Sequence, residues 1–228
     1  MKNKIYLSLS IFFALVFIIF TILVKTVDVQ YIYNGTYLGF HDLNYNFGNW
    51  AVSFGKYNGM RLLSNIIFYV SIGYSGILMI AMVIALIRAK SLKKINIRFY
   101  ILVGAYILIA LIFAFFEIVK VNYSPDSSAA HLKASYPSTH VFIGCSLYLL
   151  NTYTAMKLLN PEKKWFIELS YVSTSLICLL LVFTRLLALK HWLTDVIASV
   201  ILVAFICSIF AYLSHLLVQE NKLVEPVE

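Results

Sequence analysis

The sequence predicts an all-α fold: a polytopic membrane bundle of six helices, with short interfacial helices in its first outer loop. Hydrophobic residues fill 61% of the 228 positions and charged residues only 12%, whereas soluble domains carry about 25% charged residues. Several apolar runs reach about 20 residues, enough to cross a hydrocarbon layer of about 30 Å. A soluble domain with an unusually apolar core would not contain runs of this length.

Residues 1–61 are predicted to form an anchor helix followed by an interfacial segment. A basic start at Met1–Lys4 precedes an apolar run from Ile5 to Val24. This pattern resembles a signal peptide, but no small-residue cleavage site follows, so we interpret the run as an uncleaved anchor. Residues 25–61 mix Gly, Asn and aromatic residues, which is typical of one or two short amphipathic helices at the membrane interface.

Residues 62–217 are predicted to form the helical core, in one structural domain with the anchor, and 218–228 a short cytoplasmic tail. A polar loop at about 120–138 and a turn around Pro161 separate the later spans, since proline and neighbouring polar residues interrupt helices. Five further spans follow from the apolar runs, at about 62–87, 99–119, 139–156, 165–183 and 191–217.

The distribution of Lys and Arg predicts the orientation of the chain. Six spans place both termini on one side, which then carries eleven of the 18 Lys and Arg residues, with a dense cluster from Arg88 to Arg98. Because basic loops stay in the cytoplasm, both termini are expected there, in the plasma membrane, with the loops before the fourth and sixth spans outside. The same bias explains the net charge of +8 without nucleic-acid binding.

The three cysteines give no sign of a disulfide or a metal site. Cys145, Cys178 and Cys207 all lie inside apolar runs, without a close pair or metal-ligand spacing. Isolated membrane cysteines usually serve packing, so we predict neither a metal nor a cofactor.

A polar cluster at the start of the sixth span has the residues needed to handle a phosphate ester. His191 and Asp195 are four residues apart and share a helix face. The carboxylate could accept a hydrogen bond from one imidazole nitrogen, leaving the other as base or nucleophile. Arg185 lies six residues before His191, and its planar donors can bind two phosphate oxygens at once.

A second cluster precedes the fourth span. Ser138 comes directly before the predicted helix start, where backbone N–H groups and the helix dipole favour a phosphate. His140 could protonate a leaving oxygen. Taken singly, Ser138 could be an N-cap, Arg185 a snorkelling side chain, His191 with Asp195 a structural pair, and His140 an interfacial histidine. Their joint occurrence near membrane depth favours a functional site.

These two clusters carry a family resemblance. Pro137-Ser138-Thr139-His140 resembles the second signature, Pro-Ser-Gly-His, of the type-2 phosphatidic acid phosphatase/haloperoxidase superfamily. The segment from Thr184 to Asp195 resembles its third signature, Ser-Arg-x5-His-x3-Asp, with the spacing intact. The resemblance covers about residues 60–215 and implies that the helical core is phosphatase-like.

The resemblance also implies roles for individual residues. His191 would attack phosphorus and form a phosphohistidine, with Asp195 as its orienting partner. His140 would be the general acid for the leaving alkoxide and would later help to activate water. Arg185, Ser138 and Thr139 would bind the phosphoryl oxygens, and no metal or cofactor would be needed. The implied substrate is a lipid phosphate at the membrane surface.

The first signature of that family, Lys-x6-Arg-Pro, is altered in this chain. Its only fitting place puts Glu117 where Lys is expected and Ser124 where Arg is expected. A carboxylate there repels phosphate unless it is protonated or paired. Lys120, one turn after Glu117, is the first candidate to supply the missing charge, and Lys133 and Lys190 are others. We therefore expect reduced or altered phosphate binding on an unchanged fold.

The leading hypothesis is a membrane phosphatase that acts on a lipid phosphate monoester or diphosphate at the outer face. The main alternative is a weak or inactive family member that binds phospholipid head groups or a partner protein. A haloperoxidase is disfavoured because those members are soluble-type proteins, and a transporter because the charges cluster at one face instead of mid-membrane. The sequence leaves the lipid tail and the oligomeric state open.

Overall fold

The computed structural model describes residues 2–33, 35–55, 57–127 and 131–224. Within these residues the chain forms seven α-helices, a β-hairpin and one short 3₁₀ helix. Their bounds are α1 Lys2–Thr26, β1 Gln30–Tyr33, β2 Thr36–Leu38, α2 His41–Ser53, α3 Tyr57–Ala89, the 3₁₀ helix Leu92–Lys94, α4 Ile97–Ile118, α5 Thr139–Leu159, α6 Lys164–Leu187 and α7 Leu193–Val224.

Five helices in the described part of the chain are long and apolar enough to cross a membrane: α1, α3, α4, α6 and α7. The expectation of six spans is thus supported for five of them. The remaining predicted span corresponds to α5, which has 21 residues but buries many polar side chains. Its composition lowers its hydropathy, although its length of about 30 Å matches the hydrocarbon layer.

The polar side chains of α5 bind neighbouring helices. Asn151 donates from Nδ2 to Ser75 Oγ at 2.8 Å and accepts from the Tyr106 hydroxyl at 2.5 Å. Thr152 and Thr174 share a hydrogen bond of 2.8 Å between their hydroxyls. Helix α5 packs against α3, α4, α6 and α7, so it forms the centre of the bundle, and Asn151 and Thr152 find their partners on neighbouring helices.

The outer surface of the bundle is apolar. Ile77 on α3, Leu111 on α4 and Leu179 on α6 remain 65%, 63% and 64% exposed. Continuous apolar surface of this kind is unfavourable in water and suits lipid. Together with the five apolar helices, it indicates an integral membrane protein.

The first loop differs from the prediction in two ways. Residues 30–38 form a two-stranded antiparallel hairpin, with Gln30 opposite Leu38, so the chain is not entirely α-helical. The segment contains one short helix, α2. The last residues of the segment belong to α3, which begins at Tyr57, before the predicted span start at Leu62. Arg61 therefore lies on α3, within the bundle, and not on an interfacial helix.

Helix α2 is fastened to the bundle by one buried amide. Asn44, 1% exposed, donates from Nδ2 to the Gly39 carbonyl at 2.8 Å and accepts on Oδ1 from the Thr194 backbone N–H at 3.1 Å. Gly39 is needed here, since a Cβ would lie 1.7 Å from the Val24 carbonyl oxygen. The hairpin end, α1 and the start of α7 are thus joined beside the two polar clusters.

Candidate functional site

The helix order brings the two predicted clusters to one end of the bundle. Because successive long helices run in opposite directions, the starts of α3, α5 and α7 and the end of α6 meet there. Helix α5 packs on α3, α6 and α7, and α3 also packs on α6. We call His191, His140, Arg185 and Ser138 the histidine centre.

His191 presents an unprotonated nitrogen toward Arg185. Its Nδ1 lies 2.8 Å from the Ser135 carbonyl oxygen, which can only accept, so Nδ1–H is the donor. Nε2 then carries the lone pair and accepts from Arg185 Nη2 at 3.2 Å. Burial, and secondarily the charge of Arg185, hold the pKa of His191 well below its usual value. The imidazole is therefore neutral at pH 7, with Nε2 available as a nucleophile.

Asp195 does not make the hydrogen bond to His191 that the helix spacing predicts. Its Oδ2 is 3.9 Å from His191 Nδ1, too far for a hydrogen bond. Instead Oδ2 accepts from the Trp192 backbone N–H at 3.0 Å, and Oδ1 from Asn122 Nδ2 at 2.8 Å. The carboxylate thus closes the first turn of α7, while the backbone of Ser135 orients the imidazole.

The loop before α5 is fixed to α7 through backbone contacts. Ser138 donates its N–H to the Asp195 carbonyl at 3.2 Å, and Ser199 Oγ donates to the Ser138 carbonyl at 3.1 Å. Ser138 is fully buried, and within the described residues its hydroxyl has no hydrogen-bond partner. A buried hydroxyl in this state is costly unless a ligand bonds to it, which suits an oxyanion site.

His140 is held by two residues of α3 that the sequence analysis did not single out. Its Nε2 lies 3.0 Å from Asn65 Oδ1, an acceptor, so Nε2 carries the hydrogen. Its ring packs on Phe68 with 4.3 Å between ring centroids. Nδ1 is buried and makes no hydrogen bond to any described residue. This nitrogen is therefore the one placed to exchange a proton with a substrate.

Helix α3 forms a wall of the site. Ser64 accepts from Arg185 Nη1 at 3.3 Å, one turn after Arg61 and next to Asn65. Arg61, Ser64, Asn65 and Phe68 follow the spacing of a single helix face. The sequence signal that could have identified these residues is the helical spacing of Arg61, Ser64 and Asn65, three polar residues at the start of an otherwise apolar helix.

A second group of charges lies beside the histidine centre. Lys190 Nζ bonds to Asp126 Oδ2, and Arg61 Nη2 lies 4.0 Å from the same oxygen. Ser124 donates to the Lys190 carbonyl at 2.7 Å and to Asp126 Oδ1 at 2.5 Å. Burial, and secondarily Arg61, lower the pKa of Lys190. A groove of about 360 Å³ adjoins this group between Arg61, Asp126, Trp192 and α2.

Two residues predicted to bind phosphate, Lys120 and Thr139, lie outside these groups. Lys120 Nζ is 4.0 Å from Glu117 Oε2, with both side chains substantially exposed. Across the described ranges, Lys120 makes no hydrogen bond or ion pair with the histidines. Thr139 lines a small cavity with Glu117. The structure thus brings His191, His140, Arg185 and Ser138 together. The ion pair of Lys120 with Glu117 lies outside this group.

The arrangement has the chemistry of a phosphoryl-transfer site. A neutral nucleophilic nitrogen lies beside a guanidinium, a buried hydroxyl and a second imidazole. Arg185 Nε and Ser138 Oγ are buried donors without a partner in the described chain. Over the same residues, no group of three or more His, Cys, Asp or Glu side chains could hold a metal ion.

Comparison with known proteins identifies the segment that carries this centre. No curated protein and no solved structure matches the chain. The family model of the PAP2 superfamily, the type-2 phosphatidic acid phosphatases, matches residues 113–219. The matched segment contains Ser138, His140, Arg185, His191 and Asp195. Its match and the long apolar helices fit a membrane phosphatase. The match over residues 113–219 supports membership of this chain in the PAP2 superfamily.

Proposed function

We propose that this protein is a membrane phosphatase that hydrolyses a lipid phosphate monoester or diphosphate through a phosphohistidine on His191. The observation that carries the proposal is the hydrogen bonding of His191. Its Nδ1–H is fixed by the Ser135 carbonyl and its Nε2 lone pair is directed at Arg185. An imidazole oriented in this way beside a guanidinium is suited to attack a phosphorus atom whose oxygens the guanidinium binds.

The proposed reaction has two steps. First, Nε2 of His191 attacks phosphorus and the bond from phosphorus to the lipid oxygen breaks. For this step His140 carries a second proton on Nδ1, and it donates that proton to the departing oxygen. Second, water attacks the phosphohistidine, His140 takes up the water proton, and the P–N bond breaks to release phosphate and restore neutral His191. Arg185 and Ser138 stabilise the equatorial oxygens in both steps. Asp195 acts as a positioning residue by holding the start of α7.

We place the reaction at the outer face of the membrane. The histidine centre lies at the ends of helices, and six alternating spans with cytoplasmic termini direct those ends outward. The central position of α5 in the bundle supports counting it as a span, which brings the total to six. A lipid could keep its tail beside the apolar helices while its phosphate reaches the centre from the interface.

A second candidate function is head-group binding without turnover. Glu117 and Ser124 stand where the superfamily signature has two cations, and Glu117 is half exposed beside Lys120. Weak phosphate affinity or loss of turnover would follow if nothing replaced those charges. This candidate predicts binding of phosphatidate without phosphate release.

The decisive experiment is phosphate release by the full chain purified in detergent. Phosphatidate, phosphatidylglycerophosphate and a polyprenyl diphosphate are supplied without added metal, and released phosphate is measured colorimetrically. We expect release from at least one lipid, loss of release in His191→Ala, and a trapped phosphohistidine in acid-quenched wild type. Turnover that persists unchanged in His191→Ala would exclude the proposed nucleophile.

A matched control comes from a histidine at the other end of the molecule. His215 packs against Tyr6, with 6.0 Å between ring centroids, far along α7 from the site. His215→Ala should release phosphate at the wild-type rate. Binding of phosphatidate with neither release nor phosphohistidine would favour the head-group candidate.

A further inference from the structure

We propose that Arg61 and Lys190 replace the two cations missing from the first signature and bind the substrate phosphate, with Asp126 as the internal anion that the phosphate displaces. We call Arg61 and Lys190 the cation pair. The inference rests on the proposed phosphatase function and adds two binding residues that none of the signatures specifies. Arg61 lies outside them, and Lys190 occupies a variable position of the third, directly before His191.

The first argument is position. Arg61 lies on the same face of α3 as Ser64, which bonds to Arg185, and Asn65, which bonds to His140. Lys190 directly precedes His191 in the chain. Both cations therefore approach the histidine centre from elements that already contact it, whereas Lys120 pairs with Glu117.

The second argument is the hydrogen-bonding state of Arg61. Its Nε is buried and has no hydrogen-bond partner among the described residues. The nearest carboxylate oxygen, on Asp126, is 4.0 Å from Nη2, which is an ion pair without a hydrogen bond. A guanidinium with a buried, unpartnered donor is prepared to bind an oxyanion with two parallel hydrogen bonds.

The third argument is charge. Arg61, Lys190 and Arg185 place three cations around one end of the bundle: Arg61 and Lys190 approach the same Asp126 oxygen, and Arg185 bonds to Ser64, one turn after Arg61. Their mutual repulsion is relieved when an anion binds between the cations. In the ligand-free chain Asp126 serves this purpose, through its contacts with Lys190 and Arg61.

The position of Ser124 explains how the substitution is tolerated. Where the signature has Arg, Ser124 bonds to both the Lys190 carbonyl and the Asp126 carboxylate. The altered signature thus fixes the backbone next to His191 and the internal anion. The positive charge is moved to α3 and to the α6–α7 loop instead of being lost.

The test measures how tightly the full chain in detergent binds inorganic orthovanadate, a phosphate analogue. Binding is detected as the rise in Tm of the protein when orthovanadate is added. Orthovanadate inhibition and the KM for lipid phosphate are measured in parallel. Removing a charged donor to a phosphate should weaken affinity about tenfold to a hundredfold. We expect this in Arg61→Gln and Lys190→Gln, with a KM effect larger than the kcat effect. Asp126→Asn should bind orthovanadate more tightly than wild type.

Arg98→Gln is the matched control, because Arg98 at the start of α4 also has a buried Nε without a described partner and lies outside the site. It should retain wild-type affinity. Orthovanadate affinity within twofold of wild type in both cation-pair variants overturns the proposal, as does failure of the wild type to bind it. Weaker binding in Asp126→Asn overturns the role of Asp126 as a competing anion. Because orthovanadate binding is measured without turnover, it tests the cation pair even if the protein is catalytically inactive. Loss of phosphate release in His191→Ala tests the proposed phosphatase function separately.

Discussion

Truncating Asn122 should destabilise the protein, because the buried carboxylate of Asp195 then loses a hydrogen-bond donor. Asn122 and Asp195 are 1% and 0% exposed, and Asn122 Nδ2 donates to Asp195 Oδ1 at 2.8 Å. In Asn122→Ala that oxygen loses this donor, while Oδ2 keeps the Trp192 N–H. Losing a buried hydrogen bond to a charged group costs about 1.5–3 kcal/mol. For a chain of this length, this corresponds to a fall in Tm of about 3–12 °C.

The assay is thermal unfolding of the purified chain in detergent, followed by tryptophan fluorescence. Asn58→Ala is the control, since Asn58 is exposed in the first turn of α3 and its truncation should leave Tm unchanged. The same Asn122→Ala change is also made in an Asp195→Asn background. There the acceptor is a neutral amide, so the loss should be smaller, about 0.5–1.5 kcal/mol. An equal loss in both backgrounds, or none in either, would refute the reasoning.

Three further predictions concern the site and its supports. Since His191 must be neutral to attack and its pKa lies well below the usual value, kcat/KM should hold as pH falls through 6.5; a pH–rate profile with an acid limb centred at 6.5 or above would contradict this. Asn44→Leu should lower Tm by about 4–12 °C, because it removes bonds to Gly39 and Thr194 inside the fold worth about 2–3 kcal/mol; an unchanged melting curve would exclude this fastening of α2. Gly39→Ala should fold poorly, because the new Cβ would meet the Val24 carbonyl oxygen at 1.7 Å; wild-type yield and elution in size-exclusion chromatography would show that the backbone yields there.

The long helices were predictable because hydropathy and length decide them locally. The predicted anchor at Ile5–Val24 lies within α1, and the predicted fourth span begins at Thr139, as α5 does. The hairpin at residues 30–38 was missed because its seven strand residues pair only with one another and carry no long apolar run.

The candidate site was predictable to the extent that its residues share a helix turn or a signature. The four-residue spacing of His191 and Asp195 predicted that they share one helix face, but His191 precedes α7, and the spacing could not show that the Ser135 carbonyl accepts the imidazole hydrogen. That contact joins residues 56 positions apart and depends on the path of an irregular loop. Arg61 was missed for a related reason: its importance arises only when α3 packs against α6.

The polarity of α5 has a consequence for how the protein enters the bilayer. A helix that buries Ser146, Asn151, Thr152 and Thr154 gains little from lipid by itself, so the insertion machinery should release it inefficiently when it is alone. Asn151 is hydrogen-bonded by Ser75 and Tyr106, and Thr152 by Thr174; Thr174 lies on α6, which is synthesised later. Biogenesis should therefore hold α5 at the translocation channel until α6 emerges, which couples completion of the candidate site to synthesis of the last two helices.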